Sequence, residues 1–286
     1  MTVIDYLNEI FNLIKEKNKE IEAVKMLICD VLEIDNITMH YHDNLTINHL
    51  EKLNRLLSEY VNDNKPVQYI LGYTYFYGEK FFVTKDTLIP RFDTEVVVEE
   101  AINQIESYLK ERKLKQLNIV DIGTGSGIIA IILKKHFGDK VLVDAIDISP
   151  EALEVAKANS KYHNVEINFI HNDLLKGIDK KYDFIISNPP YIEKSEEELS
   201  KMGFDVLEHE PHLALFANDK GMEFYIQIIK QSFNNLKEFG IIIFEIGYNQ
   251  KCLMEELVQR MYPNSKFFCK KDYGDNPRCF IIMTEV

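Results

Sequence analysis

Asn188-Pro189-Pro190-Tyr191 is a short stretch whose residue types suit one demanding reaction, the alkylation of a planar nitrogen. An amide or exocyclic-amine nitrogen is a poor nucleophile, because its lone pair is delocalised by the resonance that flattens the peptide bond. Taking a methyl group from a sulfonium needs that lone pair in line with the S–C bond. A site helps by holding both N–H bonds with acceptors set out of the ground-state plane. Asn188 offers a side-chain carbonyl, and Pro189 a backbone carbonyl with no N–H of its own. Pro190 stiffens the turn, so the acceptors are fixed before a substrate arrives. Tyr191 offers an aromatic face to a planar amide or base, and to a nearby sulfonium. Asn-Pro and Pro-Pro are also ordinary turn punctuation, so the tetrapeptide takes its meaning from where it stands.

It stands at the end of a buried-strand run, Tyr182-Asp183-Phe184-Ile185-Ile186-Ser187, the place where open α/β sheets bind ligands. Upstream lies a glycine loop, Asp121-Ile122-Gly123-Thr124-Gly125-Ser126-Gly127. Such a loop between strand and helix lets backbone approach a ligand closely. Its G-x-G-x-G spacing differs from the G-x-G-x-x-G of a dinucleotide site. Asp121 opens the loop, where it could face a cofactor ammonium. Asp147, followed by Ile148, ends the next strand, where a carboxylate suits two ribose hydroxyls. Asn172-Asp173-Leu174 ends the third, with a polar side chain for an adenine amino group and an apolar one for its face. Asp121, Gly123, Thr124, Gly125, Ser126, Gly127, Asp147, Ile148, Asp173, Leu174 and Asn188 are thus the expected S-adenosyl-L-methionine site. Asn188, Pro189, Pro190 and Tyr191 are the expected catalytic group. His209-Glu210-Pro211-His212 is too short and proline-broken for a metal site and lacks an obvious third ligand. Its histidines read as loop residues near the cleft, and methyl transfer needs no metal.

The elements that must position these residues follow from hydrophobic periodicity. Residues 1–64 read as a small helical bundle: Ile4, Leu7, Phe11 and Ile14 recur at helical spacing, as do Ile21, Val24, Ile28 and Val31. Thr46 could cap a third helix carrying Ile47, Leu50, Leu53, Leu57 and Tyr60. Residues 65–93, with Pro66, Gly72, Gly78, Pro90 and many aromatics, read as a β-hairpin linker, and a helix then runs to about Glu111. Residues 94–286 alternate strands near 117–122, 141–147, 166–170, 182–187, 240–247, 265–270 and 278–284 with helices near 127–136, 150–163 and 221–237. Ser149-Pro150 is a good helix start. The expected fold is α/β, a Rossmann-like doubly wound sheet of seven strands with a final antiparallel hairpin at one edge.

Length and charge narrow the partners. The chain has 286 residues, 46% hydrophobic, with a net charge of −13. Nothing resembles a basic arm, so direct nucleic-acid binding is not expected, and an acidic surface suits a basic protein partner. The N-terminus, Met1-Thr2-Val3-Ile4-Asp5, has no signal-peptide pattern, and the apolar runs are too short to span a bilayer. Cys29, Cys252, Cys269 and Cys279 are scattered, which reads as reduced, mostly buried thiols in a cytoplasmic protein.

Assembled, these segments resemble the bacterial release factor glutamine methyltransferases, the PrmC or HemK family. The resemblance is carried by Pro66-Val67-Gln68-Tyr69-Ile70-Leu71-Gly72, Ile89-Pro90-Arg91-Phe92-Asp93-Thr94-Glu95, the glycine loop, Asp147, Asn188-Pro189-Pro190-Tyr191 and Asp272-Tyr273-Gly274-Asp275-Asn276. Phe92 departs from the proline the family often has there. The resemblance implies a class I S-adenosylmethionine-dependent methyltransferase fold and methylation of the side-chain nitrogen (N5) of a glutamine. That glutamine lies in the Gly-Gly-Gln loop of class 1 peptide chain release factors, so the activity serves translation termination. It also implies that the N-terminal helical domain helps grip the release factor, that Asn188 and the Pro189 carbonyl hold the amide, and that Tyr191 packs on it. Asn-Pro-Pro-Tyr alone is shared with nucleic-acid methyltransferases, so an enzyme acting on the exocyclic amine of adenine, cytosine or guanine is the alternative.

Overall fold

The computed structural model describes residues 1–284. They gather into two compact units, Met1–Tyr73 with Gly203–His209, and Thr74–Met202 with the chain from Glu210 onward.

The first unit is helical, with α1 (Val3–Glu16), α2 (Ile21–Leu32), α3 (Ile47–Val61) and a short α4 (Val67–Leu71). Thr2 and Thr46 cap α1 and α3, each hydroxyl accepting the N–H three residues on. The buried face of α1 is Val3, Tyr6, Leu7, Ile10 and Ile14. Phe11, expected inside, is 52% exposed. The stripe that starts at Val3 holds one more apolar position than the stripe that starts at Ile4, and it takes the core. Val67, Ile70 and Leu71 of α4 pack into the same helical core, so this unit continues past residue 64 into the segment expected to be hairpin.

In the second unit, β1 (Tyr73–Phe76) and β2 (Glu79–Phe82) form the hairpin, and α5 (Asp93–Arg112) follows. Then come β3 (Leu117–Ile122), α6 (Ile128–Phe137), β4 (Val141–Asp147), α7 (Pro150–Tyr162), β5 (Asn168–His171) and β6 (Tyr182–Ser187). After a stretch of short elements the chain ends with α8 (Glu223–Asn235), β7 (Leu236–Glu245), α9 (Lys251–Met261), β8 (Lys266–Lys271) and β9 (Pro277–Met283). The seven strands make one sheet in the order β8-β9-β7-β6-β3-β4-β5. β7, β6, β3, β4 and β5 are parallel, while β9 runs antiparallel to both β7 and β8.

Strand alternation splits the core between the two faces of the sheet. Ile119, Phe184, Ile186, Ile241 and Ile243 meet Val97 and Ala101 of α5 and Ile131 of α6 on one face. Val120, Ile185, Ile242 and Phe244 meet Tyr225, Ile228 and Ile229 of α8 and Met254 and Val258 of α9 on the other. Every residue of β6 is buried, as a central strand covered on both sides requires. The chain builds outward from β3 through β4 and β5, then returns with β6 on the other side of β3. The carboxyl ends of β3 and β6 therefore flank the switch point of the sheet.

Ser149 caps α7 and Pro150 opens it, as the sequence suggested. Other expectations need adjustment. β5 starts two residues later than 166, because the Asp144–Asn168 pairing sets its first rung. β7 starts at Leu236, four residues before 240, because Leu236 pairs with Tyr182 ahead of an irregularity in the ladder. α9 was not expected from the sequence; Gln250 before it gives no side-chain cap bond, so its start carries no signal. The thiols are all free, but only Cys279 is buried and Cys252 is exposed. Among the described residues no helix is long and apolar enough to cross a membrane.

Candidate active site

A cavity of about 340 Å³ opens at the switch point. Ile122 at the end of β3 and Ser187 at the end of β6 form part of its floor. The two strand ends are joined there by the Ser187 hydroxyl, which donates to the Ile122 carbonyl at 2.7 Å. Of the expected residues, Gly123, Thr124, Gly125, Ser126, Asp147, Ile148, Asp173, Leu174, Asn188, Pro189 and Pro190 all line this cavity. Residues distant in the chain thus share one wall, because five parallel strands bring their carboxyl ends to one edge.

The glycine loop is held from below. Gly125 donates its N–H to Asp147 Oδ2 at 2.8 Å, and Ser149 donates to Oδ1 at 2.9 Å. Burial pushes the Asp147 carboxyl up, opposed by those backbone donors. Each oxygen keeps a lone pair for a ligand hydroxyl. Asn159 of α7, fully buried, donates to the Ser126 carbonyl at 2.8 Å and to the Phe82 carbonyl at 2.9 Å, so α7 locks loop and hairpin together. Asp173 reaches the cavity but is paired with Lys176.

Three expected residues stand elsewhere. Asp121 does not line the cavity; it lies buried under the loop, where Oδ2 accepts the Thr124 hydroxyl at 2.6 Å. Burial pushes its carboxyl up to about 7. Its Oδ1 is the one buried side-chain oxygen among the described residues without a hydrogen-bond partner. Gly127 is also off the cavity: it starts α6 with φ +85°, and a Cβ there would meet Ala156 Cβ and Ile131 Cδ1, both at 3.1 Å. Its task is to let α6 pass close to α7. Tyr191, expected to stack on a substrate amide, does not line the cavity either. Its hydroxyl donates to Glu245 Oε1 at 3.3 Å, because a carboxylate buried at the end of β7 needs donors.

The segments around Asn188 were legible as motifs but not as a network. Asn188 Nδ2 donates to Thr94 Oγ1 at 3.3 Å, and the Thr94 hydroxyl donates to Glu245 Oε2 at 2.6 Å. Burial raises the Glu245 carboxyl, against the Thr94 hydroxyl and the charge of Arg278. Arg278 Nη2 lies 3.0 Å from Asp93 and 3.2 Å from Asp272. Asp272 Oδ1 accepts the N–H groups of Gly274 and Asn276, both at 2.9 Å, which folds the Asp272–Asn276 turn around the arginine. Two sequence segments that read as separate signatures thus meet beside Asn188. Thr94 could have been found as the one small polar residue on the apolar face of α5; Glu245 and Arg278 gave no local signal. Phe92 is 79% exposed, so its departure from proline disturbs no packing.

The two histidines of the 209–212 stretch lie in short helical turns rather than in a loop. His209 ends the helix Phe204–His209, and its Nε2 meets the Asp63 carbonyl at 2.8 Å. Glu210 is ion-paired with Arg91 and accepts the Ile89 N–H at 3.3 Å. Pro211, Leu213, Ala214 and Phe224 line the cavity, and the sequence marked none of these as site residues.

These features fit S-adenosyl-L-methionine. A Cβ on Gly125, at φ +55°, would meet nothing within 4 Å, so the loop presents bare backbone to the cavity. Asp147, which lines the cavity and is held by two backbone donors, keeps lone pairs for ligand hydroxyls.

A methyltransferase structure from Pyrococcus furiosus shares the fold, with a TM-score of 0.51 at 16% identity over 82% of this chain and 99% of that one. Residues 99–260 match the methyltransferase small domain model. Fold and site together define a class I S-adenosylmethionine-dependent methyltransferase. Residues 5–72 match the PrmC N-terminal domain model. The chain is 33% identical to the release factor glutamine methyltransferase of Bacillus cereus over 93% of each, and 42% identical to that of Streptococcus pneumoniae over 74% of this chain and 73% of its relative. It belongs to the release factor glutamine methyltransferase family.

Proposed function

We propose that this protein transfers a methyl group from S-adenosyl-L-methionine to the side-chain nitrogen of the glutamine in the Gly-Gly-Gln motif of class 1 peptide chain release factors, supporting translation termination. The observation that carries this reading is that Asn188, Pro189 and Pro190 line the same cavity as the glycine loop and Asp147, in a chain of this family. The glycine loop backbone, Asp147, Ile148, Asp173 and Leu174 would hold the cofactor, while Asp121 braces the loop from beneath through Thr124. When bound, it supplies an electrophilic methyl on a sulfonium.

The protein's own residues supply geometry. Asn188 Oδ1 and the Pro189 carbonyl accept the two N–H bonds of the substrate amide, drawing the nitrogen out of plane and freeing its lone pair. Leu213, Ala214 and Phe224 add apolar surface to the cavity wall. After attack the nitrogen sheds its extra proton to solvent. Tyr191 acts from behind, on Glu245, rather than on the substrate face. We assign the helical unit to gripping the release factor in the cytoplasm, and family membership favours this reading over a nucleic-acid substrate.

The test is mass spectrometry of release factor peptides after incubation with the protein and S-adenosylmethionine, with a Gly-Gly-Ala substrate as control. One added methyl on the Gly-Gly-Gln glutamine, absent from the control, is expected. An unmodified glutamine, from protein shown to bind the cofactor, would turn attention to nucleic-acid and ribosomal substrates.

A further inference from the structure

The acceptor role of Asn188 depends on which way its amide faces, and an asparagine amide is nearly symmetric in shape. Turned one way it offers Oδ1 to a substrate N–H; turned the other it offers an N–H that repels it. Something must choose. We propose that Glu245 is a positioning residue that fixes the Asn188 amide through Thr94, so that Oδ1 is the atom presented to the substrate nitrogen. The proposal rests on the reading of Asn188 as the substrate's acceptor.

A threonine hydroxyl has a single proton to donate. In Thr94 that proton goes to Glu245 Oε2, at 2.6 Å. Thr94 Oγ1 therefore meets Asn188 with lone pairs alone, and only the Nδ2 side of the amide can face it at 3.3 Å. Oδ1 is left as the free end of a planar group. Remove the carboxylate, and the Thr94 hydroxyl turns to donate as readily as accept, so both amide orientations are satisfied and the choice is lost.

The rest of the network keeps Glu245 an acceptor. Its second oxygen, Oε1, takes the Tyr191 hydroxyl at 3.3 Å. Arg278 supplies the balancing positive charge, its Nη1 3.5 Å from the Tyr191 hydroxyl, and is itself fixed by Asp272 and Asp93. Gln250 Nε2 donates to the Tyr191 carbonyl at 3.0 Å, so the turn after Pro190 is anchored by backbone as well as side chain. Thr94 sits in the first turn of α5 and Glu245 at the end of β7, so two elements remote in sequence jointly aim one amide.

The experiment compares Thr94→Val, Thr94→Ser and Glu245→Leu with the wild-type chain by two readouts. The first is turnover on a purified class 1 release factor together with S-adenosylmethionine affinity. Thr94→Val, nearly isosteric, should lower kcat about 10²-fold, the cost of a misplaced reacting group, with cofactor affinity unchanged. Thr94→Ser should restore most of kcat, and Glu245→Leu should match Thr94→Val. The second readout needs no substrate: in protein labelled with ¹⁵N-asparagine, the Asn188 side-chain amide signals, assigned by their loss in Asn188→Ala, should exchange faster with solvent in Thr94→Val and not in Thr94→Ser. Wild-type kcat in Thr94→Val, or Asn188 amide signals that do not change, overturns the proposal. A wild-type chain that fails to methylate the release factor while the amide signals respond as described overturns the substrate assignment and leaves the orienting chain supported.

Discussion

Asp147 Oδ2 accepts the Gly125 N–H at 2.8 Å, tying the end of β4 to the loop after β3. One carboxylate thus shapes the glycine loop and faces the cavity that the loop lines. Asp147→Ala should weaken S-adenosylmethionine binding at least tenfold, since a hydrogen bond to a charged group contributes roughly 1.5–3 kcal/mol and about 1.4 kcal/mol is a factor of ten. Equilibrium dialysis checks this; wild-type affinity in the variant would remove Asp147 from the cofactor site.

Asn188→Ala should separate chemistry from binding. Loss of one preorganised acceptor costs about 10²–10³ in kcat, while the glycine loop and Asp147 are untouched. Methylation rates and calorimetric cofactor titration, run side by side, give the comparison. Activity at the wild-type level would end the acceptor role.

The glycines of the loop should fail in different ways. Gly127→Ala meets Ala156 Cβ and Ile131 Cδ1 at 3.1 Å, whereas Gly125→Ala meets open space. Both carry a left-handed backbone that costs an L residue about 1–2 kcal/mol. Urea unfolding should therefore show Gly127→Ala as the less stable of the two. Gly125→Ala should show its further loss in cofactor affinity, because its Cβ projects from the loop that lines the cavity. Equal stability of the two variants would contradict the packing role of Gly127.

Asp121 should make the ligand-free protein less stable as pH rises. Its carboxyl is raised by burial from 3.8 to about 7 in the folded chain. Below 3.8 the group is protonated in both states and has no effect; between 3.8 and about 7 the unfolded chain ionises while the folded chain keeps its proton, so its contribution to stability falls as pH rises. Above about 7 that loss is complete. Asp121→Asn should gain stability relative to wild type across this window. Urea unfolding of both proteins at pH 4.5 and pH 7.5, about the two ends of the interval, gives the difference; a constant gap would show that Asp121 ionises normally.

Much of the site was legible because its chemistry is local. A glycine loop, a strand-ending carboxylate and an Asn-Pro-Pro turn each announce themselves within a few residues, and strand–helix alternation places all of them at one edge of a parallel sheet. Asp121 and Gly127, expected at the cofactor, and Tyr191, expected at the substrate, do not line the cavity. Asp121 faces Thr124, Gly127 faces α7, and Tyr191 faces Glu245. A spacing pattern identifies which residue types are needed near a site, not which side of the backbone each will take.

The sequence by itself determined the sheet, the order of its motifs and the family, because hydrophobic period and turn chemistry act over short spans. Only the tertiary structure decided that Thr94, Asn188, Glu245 and Arg278 form one polar chain. Their contacts join α5, the turn after β6, the end of β7 and the start of β9, residues up to 184 apart in number. Such a chain is stabilised by mutual satisfaction of buried donors and acceptors. That property belongs to the assembled group and to none of its segments.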